Sequence, residues 1–138
     1  MKKSLFAGAI VLWACSPGTT TRNLSPDETR RVATAVFEAF NAHDWTQMES
    51  LYADSVLLQD PAYPGGKTGK VGMTEFYQSV TDIHDEVQNI VVEGNVAVVE
   101  FISTGTLNGQ MFSLPICSVL TIENGLVVRD NTYYDAGQ

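Results

Sequence analysis

Several things are scarce in this chain of 138 residues. Basic side chains are few: eight Lys and Arg stand against sixteen Asp and Glu, a formal net charge of −8. No basic face is available to neutralise phosphates, which argues against a nucleic-acid partner. Histidine occurs twice, at His43 and His84, with no second histidine at ligand spacing, so a metal site is not expected. Cysteine also occurs twice, at Cys15 and Cys117, too few for a disulfide framework. No apolar run is long enough to span a bilayer. Charged residues make up 17% and hydrophobic residues 44%, an ordinary globular balance. The length allows one domain with a real core.

The N-terminus has the form of a processing segment. Lys2 and Lys3 precede a short apolar run from Leu5 to Trp13, which ends in Leu12-Trp13-Ala14-Cys15. This end resembles a bacterial lipobox, with residues 1–14 as signal peptide and Cys15 as the lipidated residue. The resemblance implies several acyl chains on Cys15, enough for a stable membrane anchor. Ser16 rather than Asp follows the cysteine, which in a Gram-negative cell implies outer-membrane sorting, facing the periplasm. Residues 15–25 are rich in Ser, Thr and Pro-Gly and read as a tether, leaving 26–138 as the folded domain. With Cys15 assigned, Cys117 lies in an apolar run and reads as a small buried hydrophobe.

Within the domain, Ser25-Pro26-Asp27-Glu28 spells a helix start with a capping box. Val32, Ala35, Val36, Ala39 and Phe40 then recur at helical spacing. Asp44 caps a second, short helix that carries Trp45, Met48, Leu51 and Tyr52. Val56 to Gln59 reads as a brief strand and Pro61 to Gly69 as a loop. Met73, Phe76, Tyr77 and Val80 return to helical spacing. The second half changes period: β-rich runs cover Glu86 to Val92, Asn95 to Thr104, Gln110 to Ile122 and Leu126 to Tyr134. Glu93-Gly94, Asn108-Gly109 and Asn124-Gly125 separate them as hairpin signals. Helices followed by a meander of strands indicate an α+β fold with an antiparallel sheet.

The stretch from Met48 to Tyr77 carries a family likeness: Tyr52-Ala53-Asp54, Gln59-Asp60-Pro61, a Gly-rich loop, then Phe76-Tyr77. The chain resembles the nuclear transport factor 2-like or SnoaL-like superfamily, also called cystatin-like, and in motif the bacterial ketosteroid isomerases. The likeness covers roughly residues 29–135. It implies a cone of three N-terminal helices packed on a curved antiparallel sheet, with a pocket for a small apolar molecule. Asp60 falls on the general base of those isomerases, Tyr52 and Tyr77 on supporting tyrosines, and Tyr134 on an aromatic of the pocket wall. Phe40 and Phe76 are expected as core or pocket wall.

The oxyanion hole does not carry over. Val36 stands where a donor tyrosine is expected, and Ser118 where a protonated acid is expected. Asn131 and Thr132 occupy the place of the Arg/Asp pair of related epoxide hydrolases. Losing one oxyanion donor costs about 10²–10³ in rate, so two losses argue against steroid isomerisation. Expected instead is a lipid-anchored domain that binds a small apolar molecule through Val36, Phe40, Tyr52, Phe76, Tyr77, Ser118 and Tyr134. Cofactor-free isomerase, cyclase or hydrolase-type chemistry would centre on Asp60, the only strong acid expected near the pocket floor. The alternative is a dimeric envelope interaction module with a vestigial pocket. A homodimer through the outer face of the sheet fits either reading. Arg129 and Asp130 read as a surface or interface ion pair, with a pocket role as the lesser alternative, and Lys67 and Lys70 as solvated.

Overall fold

The structure, a computed structural model, describes residues 24–61 and 65–135. The signal peptide, Cys15 and most of the tether lie outside the described residues. Helix α1 spans Pro26–Asn41 and opens with the expected capping box. The Ser25 side chain accepts from the Glu28 amide at 3.2 Å, and the Ser25 amide donates back to Glu28 Oε2 at 3.0 Å. Helix α2, Trp45–Ser50, is capped by Asp44, whose Oδ1 accepts from the Gln47 amide at 2.9 Å. The third helix, α3, is a single turn, Glu75–Gln78. The 70–80 segment cannot be helical throughout, because Gly72 within it adopts a φ of +72°.

Among the described residues six strands form one curved sheet: β1 (Tyr52–Gln59), β2 (Lys67–Thr68), β3 (His84–Glu93), β4 (Val96–Leu107), β5 (Gln110–Glu123) and β6 (Leu126–Tyr133), in the order β2-β1-β6-β5-β4-β3. The long meander β3 to β6 is antiparallel. β1 runs parallel to β6, so the sheet is mixed rather than wholly antiparallel. The two inner hairpins turn on Asn108-Gly109 and Asn124-Gly125, all four residues at positive φ, as a two-residue turn matched to strand twist requires.

The register shifts at three places, between Tyr52 and Leu57 in β1 and at single-residue bulges in β3 and β6. Val87 and Asn89 oppose consecutive residues Phe101 and Glu100, which inserts Gln88 into β3. Val127 and Arg129 oppose Ile122 and Thr121, which inserts Val128 into β6. Each extra residue bends the strand and reverses the facing of everything beyond it.

The core lies between α1 and the concave face of the sheet. Val56, Val99, Leu120, Ile122 and Val127 are essentially sealed from water, each burial stabilising the fold by about 1.5–3 kcal/mol. Phe37 stacks edge-on against Phe101 at 4.8 Å between ring centres. Among the described residues no helix is long and apolar enough to cross a membrane.

Lys70 is not simply solvated. Its Nζ donates to the carbonyls of Glu49 and Tyr52 at 3.2 and 3.3 Å and meets Asp54 Oδ1 at 3.0 Å. It thereby ties the loop before α3 to the α2–β1 junction. Lys67 Nζ likewise donates to the Val71 carbonyl at 2.7 Å.

Candidate functional site

The site is assembled at the seam between β1 and β6. Parallel pairing sets Gln59 beside Asn131, so the residues that follow β1 and those that end β6 emerge side by side. A cavity of about 50 Å³ opens there, lined by Met48, Tyr52, Leu58, Gln59, Asp60, Met73, Tyr77, Asp130 and Thr132. Three predicted site residues, Asp60, Tyr52 and Tyr77, thus share one cavity. Tyr134, next after β6, does not line the cavity; its hydroxyl donates to Asp60 Oδ1 at 2.9 Å. Asp60 itself is partly buried.

The remaining predicted residues lie elsewhere. Val36 is 4% exposed in the core on α1 and does not reach the cavity. Phe40 is also core; it packs edge-on against Tyr77 at 5.1 Å and Trp45 at 5.5 Å, holding the Tyr77 wall from behind. Phe76 is half exposed, because a one-turn helix turns Tyr77 toward the cavity and its neighbour away. Ser118 is buried behind the lining and bonds to Thr132 rather than facing a ligand.

The second acid there falls on the lesser of the two sequence readings. Asp130 lines the cavity, with Tyr52 Oη donating to its Oδ2 at 2.9 Å and Thr132 Oγ1 donating to its Oδ1 at 3.1 Å. Reading Arg129 and Asp130 as a surface pair fails on strand geometry. Adjacent strand residues point to opposite faces, and here Arg129 is exposed while Asp130 turns inward. Asp60 is therefore not the only acid at the pocket floor. The signal that points to Asp130 is its i, i+2, i+4 alternation with Thr132 and Tyr134. The signal that hid it is Val127: without the Val128 bulge, a buried Val127 would have put Asp130 on the outer face.

Withdrawal from water pushes the Asp130 carboxyl up to about 6. The hydrogen bonds from Tyr52 and Thr132 oppose that shift, and the nearby Asp60 charge adds to it. Burial, then the adjacent Asp130, pushes the Tyr52 phenol well above its ordinary value, so it stays a donor. Asp85, at the start of β3, is a further inward acid. It is 6% exposed, its Oδ1 has no hydrogen-bond partner, and burial raises it to about 6. It does not line the cavity.

The cavity is small. Sites for drug-sized ligands are commonly about 300–1,000 Å³, whereas a water needs roughly 10–15 Å³. About 50 Å³ admits a few waters or one functional group, not a whole apolar ring system. Two of its walls, Met48 and Met73, are flexible thioethers that can repack around a guest. A larger groove of about 260 Å³, lined by Leu24, Glu28, Arg31, Val32, Asn124 and Gly125, contains none of the predicted site residues. Among the described residues no group of three or more His, Cys, Asp or Glu is arranged to hold a metal ion.

Comparison with known proteins follows the same lines. Residues 33–130 match the model of the SnoaL-like domain. No curated protein sequence matches the chain. Among solved structures, a candidate polyketide cyclase from Xanthomonas campestris pv. campestris superposes with a TM-score of 0.67 at 24% identity, covering 80% of this chain and 92% of the other. A nuclear transport factor 2-like protein of unknown function from Burkholderia pseudomallei gives 0.70 at 20% identity, covering 78% and 91%. A ketosteroid isomerase-like protein from Catenulispora acidiphila, solved with trimethylamine, gives 0.67 at 18% identity, covering 76% and 85%. At these identities the likeness speaks to the fold, which agrees with the element order described above. The chain belongs to the SnoaL-like domain family.

Proposed function

We propose that the cavity receives the carbonyl end of a small apolar molecule, and that Asp60 and Asp130 divide proton transfer between them. The observation that carries this reading is the pairing of two carboxyls in one small cavity, one of them pushed to about 6. Groups whose environments separate their proton affinities suit complementary acid and base roles. Asp60 takes a proton from the carbon beside the carbonyl and returns it to a second position. Asp130 in its acid form donates a hydrogen bond to the oxygen as negative charge builds there. This acid stands on β6 two residues before Thr132, the cross-strand partner of Ser118, which replaces the expected acid on β5. Neighbours described as polyketide cyclases are consistent with chemistry on carbonyl substrates.

The test is carbon-bound hydrogen exchange in D₂O, followed by NMR, on a panel of small cyclic ketones. Exchange should be catalysed by the wild type and fall by about 10²-fold or more in Asp60→Asn and Asp130→Asn. Equal rates in wild type and Asp60→Asn would end this reading.

The cavity volume also favours a second reading, a non-catalytic module. Val91 and Tyr133 are each 56% exposed, and the outer face of the sheet carries Val98, Ile102 and Val119 between them. A homodimer through that face is the form this reading takes, and sedimentation of the wild type against Tyr133→Lys distinguishes it. In either case the N-terminal motif supports an envelope lipoprotein held through Cys15. Acyl-chain labelling that survives in Cys15→Ala would refute the anchor.

A further inference from the structure

From the hydroxyl chain behind the cavity we infer that Ser118 is a positioning residue for Asp130, acting through Thr132 and never touching the ligand. The inference rests on the proposed role of Asp130 as the site's acid. Ser118 and Thr132 are direct cross-strand partners of β5 and β6, with their hydroxyl oxygens 2.8 Å apart. Thr132 lies two residues from Asp130 on the same face of β6 and reaches its Oδ1 at 3.1 Å.

A threonine hydroxyl has one proton to give. When Asp130 is ionised, Thr132 spends that proton on Oδ1, and the proton between the two hydroxyls must then come from Ser118. The chain has one direction: Ser118 to Thr132 to Asp130. When Asp130 carries its proton on Oδ1, the carboxyl can donate to Thr132, and the direction reverses, with Thr132 donating to Ser118. The two hydroxyls therefore follow the charge state of the acid, with no atom moving further than a rotated O–H.

The chain ends blind. Ser118 is 4% exposed and its partner on β4 is Val99, which is sealed from water. Protons therefore reach Asp130 from the cavity side only. The titratable groups facing Asp130 are Tyr52 from β1, Asp60 from the residue after β1, and Tyr77 from α3. Among the described cavity neighbours, β5 contributes no charge, only the hydroxyl of Ser118. That hydroxyl strengthens the Thr132 donor and thereby favours the ionised acid.

The experiment follows the Asp130 side-chain carboxyl ¹³C shift against pH, a readout independent of any ligand or turnover. The proposed catalytic reading can therefore fail while this one stands. Relative to wild type, the midpoint should rise by roughly half a pH unit in Ser118→Ala and by more in Thr132→Val. Ser118→Thr and Thr132→Ser keep the hydroxyls and should restore the wild-type midpoint. If Ser118→Ala folds with the wild-type midpoint while Thr132→Val shifts it, the inference is overturned. If Ser118→Ala does not fold, Ser118→Thr against Ser118→Cys supplies the comparison: the weak thiol donor should raise the midpoint, and identical midpoints would overturn the inference.

Discussion

Tyr52 Oη donates to Asp130 Oδ2 at 2.9 Å, joining the first residue of β1 to the inward face of β6 across 78 positions of sequence. Both groups are raised by burial; Asp130 adds to the rise of Tyr52, while the Tyr52 hydrogen bond holds Asp130 down. Tyr52→Phe removes a donor to the charged acid, so the Asp130 midpoint should rise further above its present value of about 6. Chemical denaturation at pH 7 should show a loss of about 1.5–3 kcal/mol, the usual worth of a hydrogen bond to a charged group.

Asp85 and Asp130 together give an acid-leaning stability profile. Each rises from the ordinary 3.8 of an aspartate to about 6 in the folded protein. The folded state then holds protons that the unfolded chain has already lost between those values. Stability should be greatest below about pH 4, fall as pH rises toward 6, and level off above it. Each acid accounts for a fall on the order of 2–3 kcal/mol. Urea unfolding at pH 4.5 and pH 7.5 measures it. Asp85→Asn should flatten the profile and raise stability at pH 7.5, because it removes a buried carboxylate with an unpartnered oxygen.

Lys70 separates a carbonyl effect from an ion-pair effect. Asp54 has a side chain 95% exposed, so the ion pair itself contributes little. The bonds from Lys70 to the Glu49 and Tyr52 carbonyls are partly buried and hold the α2–β1 junction. Lys70→Met should therefore lower the melting temperature by several degrees, a loss of about 1 kcal/mol, while Asp54→Asn changes it little. Equal effects would assign the stabilisation to the ion pair instead.

Much of this architecture was readable because it is local. The Ser25–Glu28 capping box, the Asp44 cap and the Asn-Gly turns each need only a few adjacent residues, and each forms as expected. What could not be read depends on distant pairing. Tyr52 fits an apolar helical face by spacing, but its backbone pairs with Val127 and becomes strand. Met73, Phe76, Tyr77 and Val80 fit a helix by period, but Gly72 is left-handed just before them and only the single turn Glu75–Gln78 is helical. Asp60, Tyr52 and Tyr77 were found through a motif that survives in order. Asp130 reads first as a surface residue because its inward facing is set by a one-residue bulge in β6, which no alternation of residue types announces.

The most direct measurement is the titration of the Asp130 carboxyl by side-chain ¹³C NMR, in wild type and in Asp60→Asn. If the two acids face each other in one cavity, Asp130 titrates near 6 and its midpoint falls when the Asp60 charge is removed. A midpoint in the ordinary carboxylate range, or one indifferent to Asp60→Asn, would contradict a shared acid–base site.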